Sequence, residues 1–216
     1  MTADSDAGKT IHDEFDAIIA AYSDATDPDD RERIRQSLWD RFGRNGTTFI
    51  SDMANFTSTS RTLGVCHFLK MIYRARSIVA PIIAANDGVL LKCDADNCYA
   101  FFDEPQNAIH ASFDINAALF RNNQEHDIDE HIYLSVGIDH GELLLVGDED
   151  FYGDPVNTAS KLGEDLAIKG ETLVTERALA RATVELSERV ERMVARVADI
   201  EISYVRIPMT ATVSAD

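Results

Sequence analysis

The sequence predicts an α+β fold: a ferredoxin-like βαββαβ palm core with an antiparallel-rich sheet and flanking helices, behind an N-terminal helical extension. Three observations predict it. From Thr47 onward the apolar pattern runs strand, helix, strand, strand, helix, strand. The second and third strands, GVLLKC and NCYAFF, are separated only by Asp94-Ala95-Asp96, which leaves room for a hairpin and nothing longer. The chain has 216 residues, 45% of them hydrophobic, enough for one domain with an extension and a substantial core.

Residues 1–10 are polar and acidic and read as disordered. Ile11, Phe15, Ile18, Ile19 and Tyr22 then recur at helical spacing. Asp27-Pro28-Asp29-Asp30 is a helix start, with an N-cap, a proline in the first turn and acids after it. The helix it opens buries Ile34, Leu38 and Phe42 and stops near Gly43. This pair precedes the core, as a dimerisation or regulatory element or as simple packing. We assign 1–44 to the extension, 45–210 to the core domain and 211–216 to a tail.

Within the core, TTFISDM reads as a strand, residues 58–85 as a long helix ending before Asn86-Asp87-Gly88, and 104–121 as another helix. IYLSVGI and GELLLVG read as two strands, 155–167 as a helix, ETLVT as a strand, 176–195 as mostly helix and IEISYVRI as the last strand.

The formal charge is −18, which opposes nonspecific binding to nucleic acid or to anionic membranes. It also opposes an anionic substrate unless bound cations offset it locally; most of these carboxylates read as a solvated surface. No apolar run approaches the roughly 20 residues of a membrane helix. The N-terminus lacks a secretory signal's basic start and apolar stretch, so the expectation is a soluble, cytoplasmic protein. Cys66, Cys93 and Cys98 are too few for a disulfide framework and too isolated for a zinc site.

Two acids stand apart. Asp52 ends an apolar strand and Asp96 sits at the tip of a hairpin of apolar strands. If those strands are neighbours, both carboxylates project at one sheet edge, where they suit hard divalent cations. The alternative is a pair of ordinary turn aspartates.

Five segments in order resemble the class III nucleotidyl cyclase catalytic domain: TTFISDMANFTS, GVLLKCDADNCYAFF, LSVGIDHGELLLVG, DFYGDPVNTASKL and GETLVTE. The resemblance spans roughly residues 47–207. It implies that Asp52, Asp96 and the backbone carbonyl of Met53 hold two divalent ions, Mg2+ or Mn2+, with Phe56 following on the substrate side. It implies that Lys92 and Asp150 read the purine, Lys donating to adenine N1 and Asp accepting from the adenine amino group, a polarity that guanine reverses. Asn157 matches the ribose-positioning asparagine.

The sequence departs from the family pattern at three places. Lys161 stands where the family usually has a transition-state arginine, so a point charge replaces a planar fork. Ala95 stands where the hairpin usually has glycine. The phosphate-binding lysine near the last strand has no match, and Arg196 is the nearest basic residue. His140 and the other histidines match no catalytic motif.

The implied reaction converts ATP to 3′,5′-cyclic AMP and pyrophosphate by attack of the ribose 3′-hydroxyl on the α-phosphate. The implied assembly is a head-to-tail homodimer with shared sites. Cyclisation of GTP, UTP or CTP, or nucleotide sensing without turnover, are the alternatives. The Gly-Gly-acid-acid-Phe hairpin of diguanylate cyclases is absent, the turn reading CDADNC.

Overall fold

The computed structural model describes residues 4–54, 64–184, 186, 190–197 and 200–209. Helices α1 (Asp4–Asp24) and α2 (Pro28–Phe42) lead into strand β1 (Gly43–Met53). Then follow α3 (Val65–Ala85), β2 (Gly88–Asp94), β3 (Asn97–Phe102), α4 (Pro105–Gln124) and β4 (Leu134–Val146). The chain closes with β5 (Asp150–Tyr152), α5 (Asp154–Ser160) running into a π turn (Lys161–Leu166), β6 (Thr172–Thr175), α6 (Glu176–Leu179), β7 (Glu191–Val197) and β8 (Ile200–Ile207).

The sheet order is β2-β3-β1-β4-β6-β8-β7, with β5 paired to β4. Its first four strands, with α3 and α4 as crossovers, are the expected βαββαβ core. All pairings are antiparallel except β4 with β6.

Adjacent residues send side chains to opposite faces of the sheet, and both faces are covered. Phe49 and Phe102 join Met71, Val79, Ile109 and Ile115 of α3 and α4 on one face. Their neighbours Ile50 and Phe101 join Leu91, Leu143, Phe151 and Ala159 on the other. Phe151 belongs to β5, so the β4–β5 hairpin lies across that second face.

The α2 start behaves as read: Asp27 Oδ1 accepts from the amides of Asp29 and Asp30 at 2.9 and 3.2 Å. Within the extension α1 is joined to α2 by Arg41 and Glu14 at 2.9 Å and by edge-on Phe15 and Phe42 rings 5.3 Å apart.

Five expectations are corrected. Helix α1 starts at Asp4, inside the stretch read as disordered. The two strands expected between 132 and 147 are one, because Gly141 pairs with Gly46 and β1 matches β4 along its whole length. Strand β5 was not expected. The helix after Gly153 changes to π geometry at Lys161. In the segment read as helix from 176 to 195, among the described residues only Glu176–Leu179 is helical, and Glu191–Val197 is a strand paired with β8. There Met193 and Ala195, two apart, pack beside Leu162, Leu173, Ile202 and Tyr204; the period of two prevails because β8 offers a partner. The expected helical residues 58–63 lie outside the described residues.

Where α5 meets the sheet the approach is backbone to backbone. A Cβ on Gly137 would stand 2.0 Å from the Ala159 carbonyl oxygen and 2.6 Å from the Gly163 amide nitrogen. A Cβ on Gly163 would stand 2.9 Å from the carbonyl oxygen of Ile50. Among the described residues, no helix is long and apolar enough to cross a membrane.

Gly137→Ala should therefore lower stability by about 1–3 kcal/mol, the range for overpacking a tight contact. Urea unfolding followed by far-UV circular dichroism reads it, and an unchanged midpoint would show that the helix sits less tightly than described.

Candidate active site

Strand register brings the two acids together. Ser51 of β1 lies opposite Cys98 of β3, so Asp52 is one step from the β2–β3 turn that carries Asp96. Their carboxyl groups lie within hydrogen-bonding reach of each other. Burial, then the charge and hydrogen bond of Asp96, then Glu164, push Asp52 up to about 7 against the opposing Met53 amide. Burial also raises Asp96, with Asp94 adding to it. Half-buried like charges at this range resist joint ionisation, so the pair shares a proton carried chiefly by Asp52.

The turn itself is held under load. Ala95 has φ +47°, left-handed backbone for a residue with a Cβ. Arg76 of α3 donates to the carbonyls of Ala95 (2.7 Å) and Cys93 (3.3 Å) and so clamps it. Beneath it, the Cys93 and Cys98 sulfurs are 2.7 Å apart, both as free thiols.

Glu164, which sequence reading missed, stands beside the acids. Its Oε1 accepts from Asn97 Nδ2 at 3.3 Å and from Ser160 Oγ at 3.2 Å. It follows Gly163 in the π turn, a geometry with no signature in the sequence here. Among the described residues, no lysine, arginine or histidine is ion-paired with Asp52, Asp96 or Glu164. Uncompensated oxygen donors of this kind fit a hard divalent cation. Among the described residues no cluster of three protein donors forms, so other oxygens must complete the shell, as when Mg2+ is held by one or two carboxylates and substrate phosphates. The Met53 amide faces Asp52 and its side chain is buried. Phe56 lies outside the described residues.

Lys92 and Asp150 also meet: Nζ donates to Oδ1 at 2.8 Å. The folding of β5 over the sheet allows this. Asp150 Oδ1 also accepts the Phe151 amide at 2.8 Å, and Oδ2 accepts the Tyr152 hydroxyl at 3.0 Å. Burial would raise the Asp150 carboxyl, but Lys92, the Phe151 amide and the Tyr152 hydroxyl outweigh it and hold it below the usual range. The Lys92 ammonium is 5.4 Å from the Tyr99 ring centre. Tyr152 in turn stacks on Phe15 of α1, centroids 5.4 Å apart. Tyr99 and Tyr152 were absent from the sequence reading, which had no view of β5 bringing Asp150 to Lys92.

The remaining candidates stay separate within one chain. Asn157 and Lys161 are exposed on α5 and the π turn, and Lys161 Nζ is bonded to Asp165 at 2.7 Å. Among the described residues, no hydrogen bond joins either to the acids or to Lys92–Asp150. Arg196 is exposed opposite Glu201 on the outermost strand. Register from β1 through β4, β6 and β8 sets the start of β7 level with the acids and Arg196 toward the opposite end. His140 is buried, its Nδ1 bonded to Thr47 Oγ1 at 2.9 Å, and holds β1 to β4.

No protein-family model matches the chain. It is 26% identical over 106 residues to a curated protein of Rhizobium meliloti named "Putative adenylate cyclase 3". That match covers 49% of this chain and 18% of the relative, so the chain spans under a fifth of it. The adenylate/guanylate cyclase/hydrolase structure from Silicibacter pomeroyi superposes with TM-score 0.65 at 22% identity, covering 77% of this chain and 97% of that one. The guanylate cyclase domain of RhGC from Catenaria anguillulae, solved with GTP, superposes with TM-score 0.64 at 16% identity, covering 78% and 96%.

Two outcomes are expected. Asp52 has a higher pKa folded than unfolded, so the fold binds more protons than the unfolded chain between about pH 4 and 7. Metal-free protein should gain stability from this group as pH falls from 7 toward 4, and Asp52→Asn should flatten that slope in thermal unfolding. An equal slope in both proteins would dissociate the acid pair. Ala95→Gly should raise stability by about 1 kcal/mol in urea titration by relieving the left-handed alanine; a loss would mean the side chain makes compensating contacts.

Proposed function

We propose that this chain, which has the fold of the adenylate and guanylate cyclase catalytic domains, converts ATP to 3′,5′-cyclic AMP and pyrophosphate. The observation that carries the proposal is the Asp52–Asp96 pair: two half-buried carboxyls at adjacent strand ends, sharing a proton and lacking a cationic partner among the described residues. Two divalent cations bound there would lower the pKa of the ribose 3′-hydroxyl and hold the triphosphate.

The chain's own residues supply recognition and positioning. Lys92 donates to adenine N1, and Asp150, fixed by the Phe151 amide and Tyr152 hydroxyl, accepts from the exocyclic amino group. Guanine presents the reverse polarity at both edges, which supports ATP over GTP. Asn157 orients the ribose. Lys161, released from Asp165, offers its charge to the α-phosphate as the 3′-oxygen enters and pyrophosphate leaves. Asn157 and Lys161 make no bond to the acids of their own chain, which supports a homodimer in which each site takes its acids from one copy and Lys92, Asp150, Asn157 and Lys161 from the other.

The Lys161–Asp165 pair favours one second reading: a nucleotide-binding domain with little turnover, its cation held by its own helix.

Purified chain incubated separately with ATP, GTP, UTP and CTP and Mn2+, with products read by mass spectrometry, tests the proposal. Cyclic AMP should predominate. Asp52→Asn and Asp96→Asn should each lower kcat by about a hundredfold or more while the fold persists, since losing a hard ligand costs several kcal/mol. Mixing Asp52→Asn with Lys92→Glu should restore part of the activity through one intact heterodimer site. Binding without product would favour the second reading, and cyclic GMP as the main product would overturn the assignment of Lys92 and Asp150.

A further inference from the structure

We infer that Cys93 and Cys98 form a reversible dithiol–disulfide site, oxidised by a low-molecular-weight disulfide, on the hairpin that carries Asp96. The placement is set by register. The two cysteines lie directly opposite each other, one pair back from Asp94 and Asn97, which flank the turn. Opposed residues on antiparallel strands have Cα atoms about 4.5–5.5 Å apart, within the span a disulfide accepts. Their sulfurs point to the same face and lie 2.7 Å apart, so a bond of about 2.05 Å needs only a small side-chain movement and no change of register.

The surroundings suit exchange. Cys93 is half-buried and Cys98 is buried, so an incoming disulfide meets Cys93 first. The Cys98 thiol beside it, with the Arg76 guanidinium nearby, outweighs burial and holds Cys93 down at about 7. That makes Cys93 the better nucleophile at neutral pH. Its thiolate attacks the disulfide RS–SR, forming Cys93–S–SR and releasing RS−. Cys98 then loses its proton and attacks the Cys93 sulfur, forming the Cys93–Cys98 bond and releasing the second RS−. The two protein thiols are oxidised, one RS–SR is reduced to two RSH, and the two protons leave with them. Cys66 is exposed at the start of α3 and serves as an internal comparison.

The site is tied to the acids by position. Cys98 lies opposite Ser51, the residue before Asp52, and Cys93 and Cys98 enclose the turn bearing Asp96. This site does not rest on the cyclase reading, and its test needs no nucleotide.

The full chain is equilibrated in graded ratios of oxidised to reduced glutathione, quenched in acid, alkylated with N-ethylmaleimide and analysed by intact mass and peptide mapping. Cys93 and Cys98 should lose reactivity together in a single transition, with a mass decrease of two hydrogens and full recovery in dithiothreitol, while Cys66 remains alkylated or carries one glutathione. Cys66→Ser should show the same transition. Cys98→Ala, which spares the half-buried attacking thiol, should stop at the Cys93–glutathione adduct, and Cys93→Ser should leave Cys98 alkylated. Alkylation of both Cys93 and Cys98 across the whole range, accumulation of stable glutathione adducts on Cys93 or Cys98 of the unaltered chain, or a disulfide that uses Cys66 would each overturn the proposal.

Discussion

Much of this molecule depends on a contact between two residues without side chains. Gly137 lies near the start of β4 and Gly163 in the π turn after α5, and neither has room for a Cβ. Their approach lets the helix rest on sheet backbone rather than on side chains. It buries Ala159 and Leu162 on either side, in two different clusters. It also sets the azimuth of everything that follows: Glu164, the next residue along, is delivered to the hairpin turn, where it meets Asn97. A π turn inserts a residue into the helical ladder and turns the downstream face, a device that recurs at functional sites. Here it turns a carboxylate toward two others.

The second organising force is electrostatic. In a chain of net charge −18, two carboxyls brought together at half-burial pay for that proximity with a retained proton. The molecule treats its acids in contrasting ways. Asp139, fully buried, receives Arg177 Nε at 2.7 Å and the Thr175 hydroxyl, and Arg177 reaches on to Asp154 at 2.6 Å. Asp150 has Lys92. Glu130 has Lys70 and Arg74. Against that pattern of pairing, Asp52 and Asp96, with no ion-paired cation among the described residues, are a departure, since the fold supplies cations to its acids elsewhere.

How much was legible follows from the range of each determinant. The α2 cap was readable because Asp27 acts on amides two and three residues away. The β2–β3 hairpin was readable because two apolar runs and the three residues between them, Asp94-Ala95-Asp96, are local. The Asp52–Asp96 pairing was readable only conditionally, since it needed β1 beside β3. Residues 191–195 were misread because ERVERMVARV (188–197) satisfies a helical charge pattern and a strand alternation equally, and the tie is broken by β8. Strand β5 is three residues long, too short for any period, yet it places Asp150, Phe151 and Tyr152. Glu164 and the Cys93–Cys98 contact both needed three-dimensional register. Arg196 was chosen by proximity in sequence to the last strand, and register sets it away from the acids.

Lys92 and Asp150 satisfy each other as donor and acceptor across 2.8 Å, backed by Tyr99, Tyr152 and the Phe151 amide. Any molecule that engages them must first part a salt bridge. It must then offer an acceptor to one half and a donor to the other, at the right separation, or leave a charge stranded. The resting pair therefore acts as a lock whose own closure excludes poor keys: a ligand matching only one half recovers less than it breaks. Discrimination then rests on the ion pair itself, which costs as much to part for a poor ligand as for a good one.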